Sequence, residues 1–380
     1  MKSATKNLSK DSTGSYVPRH GLERFVGPEE VFIKIFENEI PQFVEPEMDR
    51  LYGNFFCSPA RLGLMGEADK KNTYAACSDE EIVTLFLFSL ENERVRVLNE
   101  LIKISDEEIN RFADDIFSHY PAVGAISFRA VETPTLSLTY PYQQFNCTED
   151  IVLALPESAS AYQSSLGKNM RKTINENLNK LKRRFPSFAF NVYEKEDATE
   201  EQIKSLIKFN QERMTGKNKT PGTGEEEAEQ ILKLVKACGL VSIITVDDRI
   251  CAGQICFQAG ANYFSLLNAH SPEFNEYRLG TLCNYLSICE CIDRGGKEFH
   301  FLWGREEFKY RFLGEQRDLD ELVIYRSPLH MARHGRLAVK TAINGRARQA
   351  RLWLLDPKRK DHFAVRFAKK TLQHLRSQTH

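Results

Sequence analysis

The sequence predicts an α/β (α+β) protein: a mixed sheet with helices on both faces, followed by a basic helical tail. Three observations predict it. From residue 186 onward, runs that alternate like strands and runs with helical spacing succeed one another in regular order. Within that order, Val241 to Tyr310 reads strand, strand, strand, helix, strand, helix. The formal charge of zero is unevenly spread: residues 327–380 hold 13 bases against Asp356 and Asp361, a net +11, so residues 1–326 carry −11.

The chain has 380 residues, 42% of them apolar, which is enough for two domains with separate cores. No apolar run reaches the roughly 18 residues needed to span a bilayer. The first residues, Met1 to Lys6, lead into polar sequence rather than an apolar signal core. A cytoplasmic protein is expected, with a peripheral place at the inner face of the membrane open to it through the basic tail. The nine cysteines are scattered and most have apolar neighbours. None is spaced as a zinc ligand, and Cys289 and Cys291 are too close for a knuckle, so no metal is expected. They read as small buried hydrophobes.

Residues 1–20 read as a polar leader. In 21–150, Val83 to Phe88 and Val95 to Leu98 read as strands around the turn Glu91-Asn92-Glu93. Ser105 is an N-cap with acids in the first turn, and Ile109, Phe112, Ile116 and Phe117 follow at helical spacing. Gly124 to Phe128 reads as another strand. Residues 158–185 read as one basic helix with Leu166, Met170, Ile174, Leu178 and Leu181 inward. Its cations suit either a solvated outer face or contact with an anionic substrate.

Phe188 to Tyr193 alternates like a strand. Thr199 and Gln202 form a capping signal before Ile203, Leu206, Ile207 and Met214. After the loop 216–224, Ile231, Leu232 and Val235 mark a second helix that Gly239 ends. Leu240–Val246, Ile250–Phe257 and Tyr263–Ala269 read as strands joined by the tight turns Asp247-Asp248-Arg249 and Gly260-Ala261-Asn262. The loop 271–276 leads to a helix with Leu279, Leu282, Leu286, Cys289 and Ile292 inward, stopped by Gly295-Gly296. Phe299–Leu302 reads as a short buried strand, Arg305–Phe312 as a short helix, and Leu319–Tyr325 as a last strand.

This order resembles the GNAT N-acyltransferase fold. Gly253 to Phe257, then Tyr277-Arg278-Leu279-Gly280-Thr281-Leu282, Gly295, and Phe301 to Tyr310 are similar to the motifs of its cellulose and exopolysaccharide-biosynthesis branch, and through it to the Fem-type transferases. The resemblance covers roughly residues 160–325. It implies a catalytic domain at 151–326 with a basic helical tail at 327–380. It further implies that 21–150 is a degenerate GNAT-like copy, making a tandem. It departs from the branch where His300 replaces an Asp and Phe308 a Tyr. The second small residue of the phosphate loop is Leu282, whose bulk is expected to limit the approach of backbone amides to a pyrophosphate.

The resemblance implies acyl-CoA, acetyl-CoA foremost, as co-substrate. The loop of Tyr277, Arg278, Leu279, Gly280 and Thr281 would hold it, helped by Lys309. Amide formation from a thioester needs a base for the amine, a donor for the oxyanion and an acid for the thiolate. His270 at the end of a strand and Glu273 after it are candidate bases, and either also reads as an ordinary turn residue. Tyr310 is the candidate acid, or a packed aromatic. His300 reads more as a residue of the packed sheet edge than as a proton carrier. The acceptor expected is an amino group of a sugar, polysaccharide precursor or related metabolite. Two alternatives are an aminoacyl-tRNA donor, as in Fem-type transferases, and a non-catalytic scaffold of a polysaccharide-synthesis complex. For the tail, an anionic membrane surface, RNA and the acidic body of the same chain all remain open.

Overall fold

The computed structural model describes residues 23–26, 31–66, 70–79, 81–133, 137–215 and 224–355. The expected leader, the loop 216–223 and the tail beyond residue 355 lie outside them.

One order of elements occurs twice. The first copy runs β1 (Glu23–Val26), β2 (Val31–Phe36), α1 (Val44–Leu51), α2 (Pro59–Leu64), β3 (Asn72–Ser78), β4 (Glu81–Glu91), β5 (Arg94–Val97), α3 (Asp106–His119), β6 (Ala125–Val131) and β7 (Tyr142–Ala154). Two helices follow, α4 (Ala159–Ser165) and α5 (Lys168–Arg184). The second copy runs β8 (Ala189–Glu194), α6 (Glu200–Thr215), α7 (Glu225–Cys238), β9 (Gly239–Val246), β10 (Arg249–Ala259), β11 (Asn262–His270), α8 (Leu279–Asp293), β12 (Glu298–His300), α9 (Glu307–Arg311) and β13 (Glu315–Tyr325). The tail begins with α10 (Pro328–Arg333) and α11 (Gly335–Leu355). Each copy, from β2 and from β8, reads strand, two helices, three strands, helix, strand and closing strand, the second with the short α9 before its closing strand.

Local chemistry sets several ends. Ser105 and Glu108 exchange hydrogen bonds in a capping box before α3. Thr199 and Gln202 do the same before α6. Asp247 and Asp248 both adopt positive φ, which matches the right-handed twist of the β9–β10 hairpin. The expected single helix over 158–185 is broken. Leu166 leaves the helical region with ψ 145° and is buried, and Gly167 caps α5.

The described chain forms two compact units, interleaved in sequence. The first comprises residues up to Ser89 together with Asp150–Arg317. In it β1 to β4 follow one another, and the end of β7 begins a second run in the order β7-β12-β11-β10-β9-β8. All neighbouring pairs in that run are antiparallel except β11 with β12. Helices cover both faces. On one, Cys256, Tyr263 and Phe299 share a core with Ile174 and Leu181 of α5 and Leu282, Cys283 and Ile288 of α8. On the other, Leu206 of α6 lies where a side chain on Gly253 would be. The helix α8 is buried almost all round, with Leu279, Leu282, Tyr285, Ile288 and Cys291 inward. Leu286 and Cys289, expected inward, are only half-buried.

The second unit comprises Leu90–Glu149 and the described residues from Asp318 on. Its strand order is β5-β6-β13-β7, with β5 parallel to β6 and β6 antiparallel to β13. The closing strands are thus exchanged. The end of β7 pairs with β12 of the second copy, and β13 pairs with β6 of the first.

All nine cysteines are free. Burial raises the thiol pKa of Cys77, Cys147, Cys251 and Cys283 above its ordinary value.

Candidate functional site

Within the first unit, β11 and β12 run parallel over three pairs only: Asn262 with Glu298, Tyr263 with Phe299, and Phe264 with His300. Beyond His300 the chain leans toward β7. The Phe301 amide donates to the Ile151 carbonyl (2.8 Å), and the Ile151 amide to that of Leu302 (3.3 Å). Meanwhile β11 continues to His270 alongside β10. A bulge between Ile255 and Cys256 adds twist to β11 just beyond its last pair with β12. Two neighbouring parallel strands therefore part after Phe264 and His300.

At the far end of β11 stands the N-terminus of α8. A 3-10 turn over Pro272–Tyr277 leads into it, and Arg278 caps it in the left-handed region (φ 52°, ψ 43°). The amides of Thr281 and Leu282 both donate to the Arg278 carbonyl. Those of Leu279 and Gly280 belong to the first turn, which has no intrahelical acceptor for them. Gly280 packs on β11: a Cβ there would lie 3.1 Å from His270 Nδ1 and 3.3 Å from Asn268 Oδ1. Asn268 Nδ2 donates to the Gly280 carbonyl (3.3 Å). His270 Nε2 lies 3.0 Å from Asn275 Oδ1. The turn thus presents first-turn amides at a helix N-terminus, an arrangement suited to a phosphate. Leu282 corrects the expectation attached to it. Its side chain is 1% exposed in the core, so its bulk does not stand over those amides.

The other expected residues are placed as follows. Tyr277 is buried against Phe185 and Phe274, with Lys180 Nζ 4.7 Å above its ring. Arg278 is exposed and Thr281 half-buried. The Glu273 carboxylate is held on the surface by Arg249 at 3.0 Å. The Tyr310 hydroxyl donates to Gln316 Oε1 (3.1 Å) on the exposed side of α9. Lys309, expected to help hold the coenzyme, is instead engaged within the fold. It is buried, and its ammonium donates to the Leu302 carbonyl (3.1 Å) and that of Trp303 and lies 3.2 Å from Glu306. It therefore fixes the turn that carries Leu302 and Gly304 at positive φ (57° and 95°).

His300 is not at a sheet edge, since β12 lies between β11 and β7. It is buried, its Nδ1 2.7 Å from Asp150 Oδ2, with Phe264 stacked on the ring at 4.2 Å. Its Nε2 lies 3.3 Å from Glu298 Oε2, an ion-pair distance without hydrogen-bond geometry. Burial acts to lower the imidazole pKa, but Asp150 and Glu298 together raise it above its ordinary 6.5. The contact with His300, helped by Arg317, holds the Glu298 carboxyl down at about 2. Sequence reasoning missed Asp150 and Glu298. Their signals were present: an acid opening the apolar run Ile151 to Leu155, and an acid two residues before His300, which period 2 puts on the same strand face. Asn268 and Asn275 carried no comparable signal.

Residues 168–310 match the family described as "Acetyltransferase (GNAT) domain". FemX covers 78% of this chain and 99% of its own at 10% identity, with a TM-score of 0.58. A conserved protein of unknown function from Bacteroides thetaiotaomicron covers 76% and 99% at 12% identity, with a TM-score of 0.49. L-PGS from Bacillus licheniformis covers 80% and 98% at 16% identity, with a TM-score of 0.48. No curated protein matches the sequence. At these identities the likeness to FemX is one of fold. Residues 168–310 are thus similar to a GNAT acetyltransferase domain, and these matches do not single out a branch.

Proposed function

We propose that the protein is an acyl-CoA-dependent N-acyltransferase acting on an amino group of a sugar, polysaccharide precursor or related metabolite. The observation that carries the reading is the parting of β11 and β12 beside the N-terminus of α8. A coenzyme thioester would supply the activated acyl group. The first-turn amides of Leu279 and Gly280, with the Arg278 guanidinium and Thr281, would hold its phosphates, and the family match over this stretch supports that.

In this reading His270 accepts the amine proton through water. Its ring is oriented by Asn275, which supports the role. The Tyr310 hydroxyl returns a proton to the leaving thiolate, and its exposure leaves it accessible. Glu273 is the weaker base, because Arg249 engages its carboxylate. Lys309 acts by holding the turn after β12. We extend the proposal to the domains: 151–326 carries the transfer site and 21–150 is a degenerate copy, as the repeated element order supports. The test is incubation with acyl-CoAs and a panel of amino sugars and amines, following free thiol. Neither thiol release nor coenzyme binding by calorimetry would be expected if the reading is wrong.

One observation favours a second donor, an aminoacyl-tRNA. The outer face of α5 exposes Lys168, Lys172, Lys182, Arg183 and Arg184, a cationic row suited to phosphates. A salt-sensitive tRNA gel shift, weakened by replacing those side chains with glutamine, would support it; no shift at low salt would remove it.

A further inference from the structure

The tail helix α11 is docked the wrong way round for an ordinary surface helix. The centre of its inner face is small and polar, with Leu337 half-buried beside it against Ala125, Val323 and Tyr325. Ala338, Thr341 and Gly345 are buried, and a side chain on Gly345 would fall 2.4 Å from Phe145. Gln143 donates to the Ala338 carbonyl, and Arg348 reaches Asn146 and Glu149. Two branched apolar residues face outward instead: Val339 is 58% exposed and Ile343 60%. Leu329 on α10 is 78% exposed.

Cations frame that outer stripe. Arg336, Val339, Lys340, Ile343, Arg346 and Arg351 recur at helical spacing and all are exposed. Arg333 pairs with Glu93 and Arg348 with Glu149. Arg336, Lys340, Arg346 and Arg351 meet no carboxylate among the described residues. No acid occurs anywhere in 327–355, so the stripe is apolar and positive together.

We propose that α10 and α11 form a docking face for an anionic lipid bilayer. Val339, Ile343 and Leu329 would enter the headgroup and acyl boundary, and the flanking guanidinium and ammonium groups would meet lipid phosphates. Long basic stems lie along apolar surface while their heads stay wet, which suits this border. The two properties choose between partners. A nucleic acid takes up the cations but gives Val339 and Ile343 nothing to enter, whereas a bilayer uses both. Self-docking of this stripe is excluded for the described residues, since its side chains are exposed with the helix already seated on its own unit.

The test is sedimentation of the full chain with vesicles of phosphatidylcholine and phosphatidylglycerol, against phosphatidylcholine alone. Binding is expected to the anionic vesicles only and to weaken with salt. Val339→Ser with Ile343→Ser should lower partitioning about tenfold or more. Lys340→Gln should lower it about fivefold, the worth of one basic residue at such a surface. All three sites are exposed, and a thermal melt checks the fold; Arg336→Gln replaces any variant that melts early, with the fivefold loss expected. No sedimentation with anionic vesicles at low salt overturns the proposal. So does vesicle binding that the serine pair leaves unchanged, and so does binding to polyuridylate in its place.

Discussion

At the scale of single residues, His300 shows how two carboxylates outweigh burial and raise the pKa of an enclosed imidazole above its ordinary value. Asp150 from β7 and Glu298 from β12 face it, Phe264 of β11 stacks on it, and Arg317 of β13 balances Glu298. Its folded pKa is raised, so its contribution to stability is complete below the ordinary 6.5 and is lost as pH rises through the folded value. Glu298 has the opposite sign: its contribution stands above 4.5 and is lost as pH falls toward about 2. Melting temperatures across pH should therefore fall on the alkaline side for the native chain, and His300→Gln should flatten that limb. Lys309→Ala removes a buried donor from two carbonyls and is expected to cost about 1–3 kcal/mol in urea denaturation. Gly280→Val crowds His270 and Asn268, so KM for the acyl donor should rise while stability changes little, read by steady-state kinetics beside a thermal melt.

Elements respond to signals that residues alone do not show. The capping box at Ser105 was legible because its spacing is local, and Ser105→Ala should cost about 1 kcal/mol by chemical denaturation. The hairpin turns at Asp247-Asp248 and Gly260 were legible for the same reason. The break at Leu166-Gly167 was not, since the apolar spacing runs straight through it and only packing decides that Leu166 turns inward. The tail's partner stayed open in the sequence, and packing settled how α11 sits: it seats itself through Ala338, Thr341 and Gly345, because a glycine lets its backbone lie against Phe145.

For the whole molecule, the exchanged closing strands bear on how the chain can be divided. Residues 21–150 lack β13, the strand that covers β6. That fragment alone should show poor amide dispersion by NMR and no cooperative melt, because an uncovered β6 leaves ladder groups unpaired. A cooperative melt of the isolated fragment would show that the first copy folds without β13. Much of the candidate site was readable beforehand. The turn Tyr277 to Leu282, the strand ending at His270 and the helix carrying Tyr310 all lie within one continuous stretch. Asp150 was not readable as a partner of His300, because 150 positions separate them.

The sequence by itself determined the alternation of strands and helices, the caps and hairpins, and the uneven charge, since each depends on neighbours a few positions apart. Only tertiary structure decided where β11 and β12 part, that Lys309 is buried, and which side of α11 faces out. Those outcomes depend on packing between segments far apart in the chain, and no local pattern encodes which surface a residue will meet.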